Sequence, residues 1–432
     1  MLLQGVPWFA AAQVQVWELV EEYRFTGSES LPIGDVQTLV SSPDGAVFVV
    51  GRDDAAIHVL GSTGEYRGTV GGEGGGPGEF RVAPWIGIQE DDVLWALDRI
   101  GRRVTWLTLS GQVLDVRPIP AVLSREGLST AAIAILDNGK AVFLESASSS
   151  RSIESLGRGR EVQVTSLDGE AENDTGPALK LDVSTLSLRF TLPIGVGVAA
   201  EQPWSTRDLL AASPRGDGFV IVRGRGTDQA LGRYELQWFD ADGTLVTSRS
   251  VDFEAAPLER ESINSFLDGT SEGFAERFGV NAGSLRRAIA RELYTPDYLP
   301  GVATNRRGWS GGGVLIAADG TTWVQQQDAD GLRWIVFDQT GATVAEIPAP
   351  EDLVLHHIGA QNAWGVREDA FGTPVVYRYT IARGKSNASG RPSHPSKSIR
   401  WRTDAPKTDG PDQSDVKLLR VSTAGDGRHL IP

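Results

Sequence analysis

HVLGSTGEYRGT, residues 58–69, is an alternating strand, a turn closed by a glycine, and a second alternating stretch: the sequence form of a β-hairpin. The same phrase recurs as TWLTLSGQVLDV (105–116), QVTSLDGEAEND (163–174), QWFDADGTLVTS (237–248) and IVFDQTGATVAE (335–346), with the glycines at Gly64, Gly111, Gly169, Gly243 and Gly341. Five hairpins in one local context define a repeated supersecondary unit. A second phrase precedes each of them: LVSSPDGAVFVV (39–50), IQEDDVLWAL (88–97), AILDNGKAVFL (134–144), AASPRGDGFVIV (211–222), IAADGTTWVQ (316–325) and, more loosely, IGAQNAWGV (358–366). Gly45 to Gly64 and Asp92 to Gly111 are both 19 residues apart, so the two turns keep register. Four strands at a spacing of 47 (Gly64 to Gly111) match one β-propeller blade, expected at roughly 40–50 residues. Six units can be counted, and the fold expected is an all-β, six-bladed β-propeller over residues 14–383.

The spacing then stretches to 58, 74 and 98 residues between successive turn glycines, which locates the insertions. The widest gap, between units four and five, holds a helical insert at about 257–300. There Ser284 is expected to cap a helix whose Leu285, Ile289 and Leu293 recur at i, i+4 and i+8, and which lies on one face of the ring. The sixth unit, 353–382, is one strand short. VQVWELVEEYRF (14–25) is the stretch available to supply it, closing the ring and covering an edge open to aggregation.

With 40% hydrophobic and 22% charged residues, the chain of 432 can bury one large core. It has no cysteine, which excludes disulfides, thiolate metal sites and a cysteine nucleophile. No stretch reaches the roughly 20 apolar residues of a membrane span. Residues 1–13 read as a signal remnant ending in Ala-Ala-Ala-Gln, or as an apolar arm, and point to a secreted or periplasmic protein. The tail, 384–432, is rich in Ser, Pro, Gly and Lys, a disordered composition. It holds nine Lys/Arg against five Asp, so the rest of a chain of net charge −15 stands at −19, and nucleic acid is not the expected partner.

GGEGGGPGEF (71–80) lacks the Gly-Lys-Ser/Thr of a phosphate loop and reads as the crossing from one unit to the next. Together with VWELVEEYRFTGS (16–28), and PDYLPGV (296–302) followed by GGGVLIAADGTTWV, it resembles bacterial six-bladed β-propeller proteins related to the NHL-repeat propellers. The resemblance covers roughly residues 14–382. It implies the fold and assigns no activity.

Catalytic signatures are sparse. Asp35, Gln37, Gln89 and Asp208 are inner-strand polar groups for a gluconolactonase-like channel site holding calcium or another divalent cation, but no spacing selects them. His356 and His357 are adjacent, and strand alternation would let only one face the channel. Asp240-Ala-Asp-Gly and Asp328-Ala-Asp-Gly read as turn chemistry. Binding is the reading left. Tyr294, Tyr298, Arg306, Arg307 and Trp309 gather anchor-type side chains beside the insert. The expectation is a monomeric, non-catalytic exported propeller, without cofactor, that takes a protein, peptide or carbohydrate ligand on the insert-bearing face. A divalent-metal hydrolase or lyase with its site in the channel is the alternative.

Overall fold

The computed structural model describes residues 14–384, apart from 26, 28–34, 90–91, 120–127, 148–159, 168–178, 182–186, 193, 196, 202, 205–207, 228, 304–312 and 351. The possible signal remnant (1–13), all but the first residue of the tail, and the turn at Gly169 lie outside these residues.

The chain opens with strand β1 (Gln15–Phe25) and then lays down meanders of antiparallel strands. The first comprises β2 (Val36–Ser41), β3 (Val47–Gly51), β4 (Ile57–Leu60) and β5 (Tyr66–Val70). The second comprises β6 (Trp85–Gln89), β7 (Val93–Asp98), β8 (Arg103–Thr108) and β9 (Val113–Pro118), and the third β10 (Leu128–Ile135), β11 (Lys140–Ala147), β12 (Arg160–Ser166) and β13 (Leu179–Leu181). A separate hairpin follows, β14 (Ser187–Thr191) and β15 (Gly197–Glu201). The fourth meander is β16 (Leu209–Ala212), β17 (Gly218–Arg223), β18 (Leu231–Asp240) and β19 (Leu245–Glu254). Two helices come next, α1 (Arg260–Phe278) and α2 (Ala282–Glu292). The rest is β20 (Val314–Ile316), β21 (Thr322–Asp328), β22 (Gly331–Phe337), β23 (Thr343–Pro348), β24 (Val354–Ile358), β25 (Asn362–Glu368) and β26 (Pro374–Arg383).

Each of the first four meanders is a four-stranded sheet in sequence order, and the last seven strands join β1 in an eight-stranded sheet of order β20-β21-β22-β23-β1-β26-β25-β24. This is an all-β propeller fold with two helices among the described residues. The first strands of the meanders lie side by side in cyclic order, β2 by β6, β6 by β10, β10 by β16, β16 by β20, β20 by β24 and β24 by β2. The apolar core fills the seams between neighbouring sheets. One seam holds Phe48, Val50, Phe80, Ile86 and Leu94, and another Val142, Val164, Phe219 and Ile221.

β1 pairs antiparallel with β26 from Trp17↔Arg383 to Phe25↔Val376, as the missing strand requires. It also reaches β23 through two parallel pairs, Gln15↔Ala345 and Val16↔Glu346. The repeated turns adopt the left-handed geometry their glycines permit, with φ of 87° at Gly64, 91° at Gly111, 80° at Gly243 and 79° at Gly341.

Alternation of strand direction fixes the two ends of the molecule. In a four-stranded meander the first and third turns fall at one end, the second turn and the connection to the next meander at the other. Both repeated glycine turns therefore share an end; a Cβ on Gly45 would stand 3.1 Å from Ser62 Cβ of the companion turn. The β14–β15 hairpin and the helices both leave from the opposite end.

Candidate functional site

The apolar side of the helices packs on an inserted hairpin, a contact the sequence reading did not contain. Leu285 and Ile289 of α2 and Leu267 of α1 are buried against Leu188, Phe190 and Leu192 of the β14 hairpin. Phe190 meets Phe274 edge-on at 5.4 Å. An amphipathic stripe needs an apolar surface, and the hairpin inserted before the fourth meander supplies it to helices inserted after it. The result is one module from two insertions, tied to the ring through a small cluster of Trp204, Ala256 and Leu299. Its sequence signal was present in Leu188, Phe190 and Leu192, alternating before a Pro-Ile-Gly turn. The cap of α2 also differs from expectation: Asn281 is the N-cap, and its Oδ1 accepts the Ser284 N–H at 3.0 Å. Asn281 has the extended backbone a cap requires, which leaves Ser284 inside the first turn.

The chain returns from the module across a row of buried polar side chains. Gly301 N–H donates to Arg225 O at 2.8 Å, Ala303 N–H to Gln325 O at 2.9 Å, and Gln327 N–H to Gly301 O at 3.0 Å. The fully buried Arg225 donates to Val302 O at 2.5 Å. Gly301 is required here: a Cβ would stand 2.3 Å from the Phe253 ring. Below, Tyr234 OH donates to Gln326 Oε1 at 3.0 Å, and Gln326 Nε2 to Asp328 Oδ2 at 2.6 Å. Arg333 donates twice to Asp328, at 3.0 and 2.6 Å. Burial, with the Asp328 carboxylate adding to it, holds the Tyr234 phenol far above its ordinary value, so it remains a neutral donor. Asp240 makes the turn bonds expected of it, accepting from Asp242 N at 2.9 Å and Thr244 N at 2.8 Å. Asp328 does more than its turn motif suggests: its buried carboxylate anchors the half-buried Arg333.

Around the first strands, at the end carrying the module, three units repeat one ion pair: Asp35–Arg52 (3.2 Å), Asp208–Arg223 (3.0 Å) and Asp352–Arg367 (3.0 Å). Sequence reasoning singled out Asp35 and Asp208 and missed their arginines, although an Arg 15 to 17 residues beyond each Asp is a readable signal. Gln37 and Gln89 are also engaged. Gln37 donates to Ala83 O and Pro84 O, both at 3.1 Å, while Gln89 donates to Leu136 O at 3.2 Å and accepts from Trp106 at 3.1 Å. Gln37 and Gln89 therefore stitch neighbouring units, whereas the ion pairs of Asp35 and Asp208 each lie within one unit. Among the described residues no three His, Asp or Glu side chains form a metal-type cluster.

His356 and His357 correct the alternation argument. The pairing of β24 with β25 skips His356, running Leu355↔Gly365 and then His357↔Trp364, a β-bulge. Leu355 and Ile358 enter the same core cluster although three residues apart, so both histidines between them occupy the other side of the strand. β2 is built alike: Gln37 is skipped, and Val36 and Leu39 share a cluster. Where Gln37 finds two carbonyls, the buried His356 Nδ1 has no partner among the described residues.

Of the residues expected at the binding face, Tyr294 is 43% exposed just beyond α2. Tyr298 is half-buried against the cluster between the fourth and fifth meanders. Arg306, Arg307 and Trp309 lie outside the described residues.

No family model matches the chain, and no curated protein matches it in sequence. Solved structures do align over most of it. The PQQ-bound aldose sugar dehydrogenase of Streptomyces coelicolor is 14% identical, with 86% of this chain and 100% of that one covered and a TM-score of 0.43. The calcium-binding protein regucalcin from Agrobacterium tumefaciens is 9% identical over 86% and 97%, TM-score 0.39. A putative exported protein from Bacteroides fragilis is 10% identical over 86% and 97%, TM-score 0.40. At these scores no chemistry passes from those proteins to this chain.

Proposed function

We propose that the chain is a six-bladed, NHL-like propeller, exported from the cell, that works by binding a protein, peptide or carbohydrate on the face carrying the two-part module. The count of six rests on splitting the eight-stranded sheet where its halves are joined as paired strands only through the two β1–β23 pairs, and on the cyclic order of six first strands. Export rests on the apolar residues 2–13 ending in Ala-Ala-Ala-Gln.

The observation that carries the binding reading is the shared core of two insertions. Their chain segments lie on either side of a whole four-stranded unit, yet Leu188 and Phe190 from one and Leu285 and Ile289 from the other make a single surface element. Loops held on a rigid scaffold are where recognition concentrates. Glycan and peptide arrays probed with the full chain, and with a chain lacking both insertions, test this. A ligand bound by the first and lost by the second is expected. A ligand bound equally by both, or a chelator-sensitive hydrolase or lyase activity, would overturn it.

A further inference from the structure

The module carries two cations that its fold does not use. Arg286 of α2 is engaged, its Nε donating to Asp268 Oδ1 at 2.6 Å and its Nη2 to Asn264 Oδ1 at 2.9 Å, which clamps α2 to α1. Arg287 and Arg291, one turn apart, are exposed, and neither has an ion-pair or hydrogen-bond partner among the described residues. Arg291 complements the helix C-terminus. That explains one cation and not the second. Ala290 and Gly283, both exposed, lie beside the pair. In a chain of net charge −15, α2 carries three arginines, Arg286, Arg287 and Arg291, against one acid, Glu292.

We infer that Arg287 and Arg291 read an acidic, extended peptide segment of a partner protein. This rests on the module being the recognition surface. Side chains at i and i+4 of a helix are about 5–6 Å apart at Cβ. An extended peptide presents every second side chain to one side, about 6.6 Å apart at 3.3 Å per residue. Carboxylates at alternate positions of a strand therefore meet the two arginines in step, each able to accept a bidentate pair. Within residues 1–383, whose net charge is −19, the basic α2 offers an acidic segment an attractive surface.

The test uses the full chain and a fluorescein-labelled peptide of alternating Glu and Thr, with a Gln–Thr peptide as control, followed by fluorescence anisotropy. The Glu–Thr peptide is expected to bind, to weaken steeply with added salt, and to lose at least tenfold in affinity to the R287E/R291E variant. The Gln–Thr peptide is expected not to bind. Both arginines are exposed, so the variant should melt like the parent, which circular dichroism checks. Failure of the Glu–Thr peptide to bind, an unchanged Kd in R287E/R291E, or the same arginine dependence shown by polygalacturonate and not by the peptide would each overturn the inference. If removing both insertions abolishes peptide binding while R287E/R291E does not, the module remains the binding surface and only the arginine assignment falls. If neither change matters, both fall.

Discussion

Trp17 and Arg383, from the first and last strands in sequence, are directly paired across β1 and β26, and the Arg383 guanidinium lies 4.8 Å from the centre of the Trp17 ring. Arg383 also donates to Asp319 Oδ2 at 2.8 Å, and Trp17 packs 6.3 Å from Trp323, so closure of the last unit is tied to the unit before it. Removing residues 1–26 should expose the edge of β26 and lower both melting temperature and solubility. The point variant W17A should cost about 3–5 kcal/mol, the range for emptying a buried aromatic site, read from urea unfolding. Unchanged melting of the truncated chain would mean that β1 does not close the ring.

Much of this was legible because strand alternation and turn glycines are local. The turn at Gly64 and the pairing of Leu60 with Tyr66 across it follow from a dozen residues. The supply of β1 to the last unit was legible by elimination, since the unit was a strand short. What stayed hidden depends on contacts distant in sequence. Leu285 shows a stripe without saying that Phe190 covers it, and Asp328 reads as a turn residue until Arg333 and Gln326 are seen around it. His356 misled because one skipped residue in a strand inverts every side-of-sheet argument.

Phe80 tests the reading of the glycine-rich crossing as a structural plug. It is fully buried in the seam between the first two meanders, its N–H donating to Gly72 O at 2.7 Å and its carbonyl accepting from Gly74 N at 3.0 Å. Arg103 holds the same loop through Gly75 O and Glu79 O. F80A should lose about 3–5 kcal/mol. G71A should also destabilise, because φ is +75° there and a Cβ would stand 2.3 Å from the Phe80 ring. A lower urea midpoint with an unchanged slope is the expected signature for both.

Acid should weaken the fold in a window set by the two histidines. Burial holds both imidazoles down at about 4, whereas in the unfolded chain they return to about 6.5. Between these values the unfolded state binds more protons, so stability is full above pH 6.5 and declines as pH falls towards 4. Asp44 and Asp338, whose carboxyls hydrogen bonds hold below their ordinary value, add losses only at lower pH. The H356Q/H357Q variant should show a flatter dependence of melting temperature on pH from 6.5 to 4. An unaltered slope would mean that the imidazoles are not enclosed.

The shared core of the module makes deletion of one insertion worse than deletion of both. Replacing 259–292 alone with a short Gly/Ser linker removes Leu267, Leu285 and Ile289, and leaves Leu188, Phe190 and Leu192 of the β14–β15 hairpin facing water. Loop length itself costs little, growing only logarithmically, so the damage comes from the stranded apolar face. The single replacement should bind a hydrophobic dye and elute partly aggregated, with its β-rich circular dichroism retained. Replacing 187–201 as well should restore a soluble monomer, because every strand of the four-stranded sheets lies outside both segments. L285A, at a fully buried site, should loosen the module by about 2–5 kcal/mol and speed proteolysis within 260–292 without shifting the main melting transition. If the double replacement failed to fold while the single one stayed clean, the helices would be an independent decoration and the hairpin part of the ring core.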